Sequence, residues 1–252
     1  MSSLSKGSLA LIDGLPYRQD SRLRLLVKQS ELDFDEEQLG VSQFRSHADY
    51  LLEIIWQVNP HLEVGLLPFF PTFGEPKEYQ LQLASLIQIG VEAGYKVIAM
   101  ALEGTCYDSI SYPLRKAYEH AYRMGVAIVI SAGNSDPFRN PLIHARYTFP
   151  VVGLSEGCQV SPKFYFRSYY EKKGFGAYGG GVANYSGQPI SCSSAVVRFA
   201  SILEKTAEKP ALWLNQIHKC CPADAIPVLT EDKGLTMTRL MDVSTPILPK
   251  NV

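Results

Sequence analysis

Four polar residues, far apart along the chain, share one kind of position: each stands where an apolar stretch begins or ends. Asp13 closes the run Ser8-Leu9-Ala10-Leu11-Ile12 and is followed by Gly14. His47 follows Ser46 at the head of a stretch in which Tyr50, Leu51, Ile54, Ile55 and Val58 recur at helical spacing. Asn134 ends the run Val126-Ala127-Ile128-Val129-Ile130-Ser131-Ala132-Gly133. Ser191 leads Cys192-Ser193-Ser194 into the small and apolar stretch from Ala195 to Leu203. A hydroxyl that attacks, an imidazole that carries its proton and a carboxylate that orients the imidazole make up a nucleophilic acyl-transfer site. A neutral amide supplies the remaining part, a donor to the oxyanion, which contributes about 2.7–4 kcal/mol where measured. Each residue also has a plainer role: Asp13 and Asn134 as turn formers, His47 as a surface residue of a first helical turn, Ser191 as a helix cap.

The elements that would hold these residues can be read from periodicity. Leu9–Ile12, 62–70, 96–102, 126–131 and 149–154 are apolar runs of strand length, as expected for strands buried on both faces. Between them, 47–58, 78–93 and 112–124 carry helical patterns. Asn59-Pro60, Gly94 and Gly125 stand at their ends. On the 78–93 helix, Leu81, Leu83, Leu86 and Ile87 are expected on the apolar side, and Pro68 and Pro71 in the loop before it. Strand and helix alternate as far as Asn134, which predicts an α/β fold with a doubly wound, mostly parallel sheet and helices on both faces. In such sheets sites form at the carboxyl ends of strands, where Asp13 and Asn134 stand. Residues 21–40, with Asp33, Asp35, Glu36 and Glu37, read as a solvated surface excursion. Residues 163–181, rich in Tyr, Phe and Gly, read as a long loop or hairpin. A helix over 211–218 and one short element over 238–243 complete the chain.

Composition narrows the function. The chain has 252 residues, enough for a single domain spanning 1–252. Its 24 basic and 25 acidic residues give a formal net charge of -1, so no electrostatic footprint for nucleic acid or an anionic membrane is expected. No run approaches the roughly 20 apolar residues of a membrane span, and Met1–Gly7 has no signal-peptide pattern, which makes a cytoplasmic location the expectation. The 5 cysteines show no CxxC pair or zinc spacing, so reduced thiols and no metal are expected. Gly179-Gly180-Gly181 lacks the G-x-G-x-x-G spacing, as does Asp13-Gly14-Leu15-Pro16 after the first strand, and no cofactor is expected.

The order Asp, His, Ser, with Asn134 between the last two, resembles the subtilisin-like serine proteases. Leu9-Ala10-Leu11-Ile12-Asp13-Gly14 is similar to the strand carrying that family's catalytic Asp. Ser46-His47 and the helix after it are similar to the His segment. Residues 97–104 resemble the substrate-lining strand, 117–134 the segment ending in the oxyanion Asn, Phe149-Pro150-Val151-Val152-Gly153 the strand that follows, and 191–203 the nucleophile helix. The resemblance implies a protease of divergent, minimal form that cleaves a peptide bond with Asp13, His47 and Ser191 as triad and Asn134 in the oxyanion hole. A peptide or protein substrate would lie along Ala101, Leu102, Glu103, Gly104 and Gly133. Glu103 there would favour a basic side chain or be solvated. Processing of a precursor or leader peptide is the implied setting. The chain departs from the family where Ala48-Asp49 follow His47 and where Pro189-Ile190 and Cys192-Ser193 flank Ser191. These departures leave Cys192 as an alternative nucleophile, with Ser193 as the outside candidate, and a catalytically inactive, peptide- or partner-binding pseudoprotease as the alternative function. The sequence names no particular protein partner.

Overall fold

A computed structural model describes residues 8–27, 46–69, 76–102, 110–133, 140, 142–144, 146–154, 174–180, 192–221 and 225–239. The apolar runs become strands β1 (Leu9–Asp13), β3 (Val64–Pro68), β4 (Val97–Met100), β5 (Ala127–Ser131) and β6 (Thr148–Leu154). β2 (Leu23–Leu25), β7 (Phe175–Tyr178), β8 (Ala225–Thr230) and β9 (Gly234–Arg239) join them. The helices are α1 (His47–Val58), α2 (Pro76–Glu92), α3 (Tyr112–Arg123), α4 (Cys192–Thr206) and α5 (Pro210–Cys220). One sheet runs in the order β2-β3-β1-β4-β5-β6-β7-β8-β9, with every neighbour parallel except β8 and β9, which form an antiparallel hairpin.

Alternation along β1 shows how the sheet divides two cores. Leu9 and Leu11 pack with residues of α1, α4 and α5, including Leu51, Ile55, Val197 and Leu214. Ala10 and Ile12 face the opposite side, where α2 and α3 contribute Leu83, Ile87, Leu114 and Tyr118. Both faces are thus covered, which is why these strands read as unbroken apolar runs. α4 packs across β4, β5, β6 and β7 and against α1.

Several expectations are corrected. Leu81 is 48% exposed; its neighbour Gln80 is the buried one, and its Oε1 accepts the Ser111 N–H at 2.6 Å, joining α2 to the start of α3. Pro68 is the last residue of β3, opposite Asp13, and not loop. It has no N–H to give the ladder, and the next donor, Phe69 N–H, bonds Asp13 O at 2.9 Å. The excursion after residue 21 contains β2, at the sheet edge. The Tyr/Phe/Gly-rich region contains β7, a parallel strand, and the tail forms β8 and β9. Among the described residues no helix is long and apolar enough to cross a membrane.

Candidate active site

Asp13 and His47 meet. The carboxylate stands at the carboxyl end of β1, is 3% exposed, and accepts the Gly14 N–H at 2.8 Å on Oδ1. His47 Nδ1 lies 2.9 Å from Asp13 Oδ2 and 3.1 Å from Oδ1. The imidazole keeps 41% of its side-chain surface in solvent while its partner keeps 4%. So one ring edge is held by a buried carboxylate and the ring remains reachable. Burial pulls the imidazole toward its neutral form; the Asp13 hydrogen bond and the Asp13 charge oppose that and win, raising its pKa above the ordinary 6.5.

The first turn of α1 fixes this ring in place. Ser46 is the N-cap, its Oγ accepting Asp49 N–H at 3.1 Å, and Asp49 Oδ2 accepts Ser46 N–H at 3.0 Å, a reciprocal capping box. Asp49 reaches further. Its carboxylate also accepts Tyr17 N–H at 2.9 Å and Arg18 N–H at 3.2 Å. The loop leaving Asp13 is therefore tied to the helix opened by His47. Ala48, the residue between, is fully buried. Burial raises the Asp49 pKa, but the three backbone donors and the Ser46 side chain outweigh it, and the carboxyl ends below its ordinary value. The Ala48-Asp49 departure from the family pattern is thus a local cap with structure of its own. The spacing Ser46-x-x-Asp49 carried that signal in the sequence.

One turn on, Tyr50 OH lies 2.9 Å from Ser194 Oγ in the buried seam between α1 and α4. Ser193 Oγ donates to Ala101 O at 3.3 Å. The start of α4 is thereby held both to the His47 helix and to the backbone just past β4. Ser191, which immediately precedes α4, lies outside the described residues, as do Asn134, Glu103 and Gly104. Ala101, 6% exposed, and half-buried Leu102 are described and continue past β4. Cys192 is fully buried and clusters with Ala132, Val152, Leu154, Ile226 and Val228.

At the end of β5, Gly133 adopts φ 105°, a conformation that side chains oppose, and its N–H donates to Ser131 Oγ at 3.2 Å. A residue the sequence did not single out completes this corner. Asn140 is fully buried. Its Nδ2 donates to Ser131 O at 2.7 Å and to Leu102 O at 3.0 Å, and its Oδ1 accepts Leu142 N–H at 3.1 Å. No local pattern marks Asn140, because its partners come from two other elements. Among the described residues no group of three or more His, Cys, Asp or Glu could hold a metal ion.

The sequence matches no protein-family model and no curated protein. Its structure does have counterparts. The prenylagaramide maturation protease PagA is similar over 88% of this chain and 84% of its own, at 17% identity and a TM-score of 0.65. The patellamide maturation protease PatA is similar over 90% of this chain and 89% of its own, at 19% identity and a TM-score of 0.63. The nisin leader peptidase NisP from Lactococcus lactis is similar over 84% and 81%, at 17% identity and a TM-score of 0.54. The chain has the subtilisin-like α/β fold.

Proposed function

We propose that this chain is a serine peptidase that hydrolyses a bond in a precursor or leader peptide. The observation that carries the reading is the pair Asp13–His47: a buried carboxylate at a strand's carboxyl end, bonded to Nδ1 of a ring that stays open to solvent. Nothing in packing requires that arrangement, and acyl transfer does. Ser191 Oγ attacks the peptide carbonyl carbon and His47 Nε2 takes the hydroxyl proton. Asp13 holds Nδ1–H and stabilises the imidazolium. His47 returns the proton to the leaving amine, then activates the water that hydrolyses the acyl intermediate. Asn134 and the Ser191 N–H receive the oxyanion. The peptide lies extended along Ala101–Gly104 as an added strand, held mainly through its backbone.

Ser191 is preferred to Cys192 because the Cys192 thiol is packed in an apolar cluster, where burial disfavours the reactive thiolate. The binding-only alternative drew on the altered flanks of His47 and Ser191, and the Asp49 capping box supplies a structural reason for the first of them. Likeness in fold to the maturation proteases PagA and PatA and the leader peptidase NisP supports a peptide precursor as substrate. The test is a fluorophosphonate probe with the adduct mapped by mass spectrometry. An adduct on Ser191 that disappears in His47→Ala is expected. Folded protein that stays unlabelled would favour the peptide-binding alternative.

A further inference from the structure

β4 and β5 pair as far as Met100↔Ile130. Beyond that register β5 stays with β6, through Ser131↔Val151 and the Ala132 N–H on Val151 O at 3.1 Å. The β4 chain continues as Ala101-Leu102, with Ser193 Oγ on Ala101 O and no further pairing to β5 among the described residues. A parallel pair that separates leaves carbonyls facing a gap with no ladder partner, and a buried carbonyl without a donor is costly. Asn140 stands at that point. Its single Nδ2 group donates to Leu102 O, past β4, and to Ser131 O, the last residue of β5. Its Oδ1 is anchored by Leu142 N–H, which fixes which way the amide faces. Both of its amide hydrogens are used, one on each strand.

We infer that Asn140 is a positioning residue that sets the separation between the backbone at Ala101-Leu102, proposed to line the peptide, and the Ser131–Gly133 end of β5, which the proposed oxyanion donor follows in the chain. This rests on the proposed peptidase reading. In that reaction the scissile carbonyl belongs to a peptide seated on Leu102 while its oxygen must reach Asn134. A change in the gap between the two strands moves the carbonyl relative to the donor. Donor geometry counts most when the oxyanion forms, so the effect falls on the reaction step and not on binding.

The experiment measures saturation kinetics of fluorophosphonate labelling at Ser191 in the full chain, for the wild type, Asn140→Leu and Asn140→Asp, with thermal melts of each. Asn140→Leu keeps the branched shape, is somewhat larger, and removes both donors and the Oδ1 acceptor. It is expected to fold and to label at least 10-fold more slowly at saturating probe, with little change in the half-saturating concentration. Asn140→Asp keeps an acceptor for Leu142 N–H but turns a carboxylate toward two carbonyls, which raises its pKa. Its labelling rate relative to wild type is expected to rise as pH falls and the new carboxyl gains a proton to donate. The buried carboxylate also destabilises the fold less as pH falls, so rates are compared only at pH values where the melts show each variant folded. A labelled wild type with folded variants that react equally fast overturns this inference alone. An unlabelled wild type overturns the peptidase reading and this inference with it.

Discussion

The His47 imidazole is pulled toward the neutral form by burial and toward the charged form by Asp13, and the charged form gains. Two consequences have opposite signs. Its folded pKa lies above the unfolded value, so the stabilisation it adds is fully present below about pH 6.5 and is lost as pH rises through the folded value. In the proposed reaction His47 is the base and must be neutral, so activity is expected to rise over that same interval. Asp13→Asn is therefore expected to lower the melting temperature more at about pH 6 than at about pH 9; an equal loss at both would show that the pair is not charged. Asp49 works the other way. Its lowered pKa means that its stabilisation is present above the unfolded value, about 3.9, and fades as pH falls through the folded one. Asp49→Ala removes a cap and leaves the Tyr17 and Arg18 amides short of an acceptor, and should cost about 1–3 kcal/mol at neutral pH. Urea melts at neutral and strongly acidic pH check this, with the difference from wild type shrinking in acid.

Between elements, close approach decides what can change. At Gly65 in β3 a Cβ would sit 2.4 Å from the Tyr95 ring, which is 3% exposed. Gly65→Ala must displace a buried aromatic, an overpacking that typically costs about 1–3 kcal/mol. Gly14, beside Asp13, has nothing within 4 Å of the same position, and Gly14→Ala keeps the N–H that bonds Asp13. Denaturant melts should separate the two, with Gly14→Ala near wild type. Gly133→Ala is a different case: φ 105° is backbone strain for any side chain, about 1–3 kcal/mol, felt at the corner next to Asn134. Slower probe labelling together with a lower melting temperature is expected. Element identity was legible in the sequence where both faces of a strand are buried, as in β1, β4 and β5, because burial writes itself as an apolar run. It was not legible in β2, three residues at an edge with Arg24 among them, nor in β7, where Phe175-Gly176-Ala177-Tyr178 resembles a loop in composition. Nor was it in β8, where Pro227 argues against a strand and pairing with β9 decides otherwise.

Across the whole molecule, the sheet brings residues distant in sequence to one edge. Asp13 and His47 could be named in advance because their chain order and neighbours follow a family pattern, and 34 positions of separation close to a hydrogen bond. Asn140, the hold of Asp49 on Tyr17 and Arg18, and the Tyr50–Ser194 contact could not be named as site supports, since these partners lie on other elements and leave no periodic trace. The proposed reaction divides its parts among the elements: β1 and α1 hold the Asp13–His47 pair, α4 starts just after Ser191, and in the proposed reading the peptide lies where β4 and β5 part. That division predicts that Ser191 gains its reactivity from a ring two elements away. The direct measurement is the pH dependence of the rate at which a fluorophosphonate modifies Ser191. The rate should climb as His47 loses its proton, with a midpoint above the ordinary value of about 6.5, and should fall on the order of 10⁴-fold in Asp13→Asn. A rate indifferent to pH and to Asp13→Asn would contradict the account.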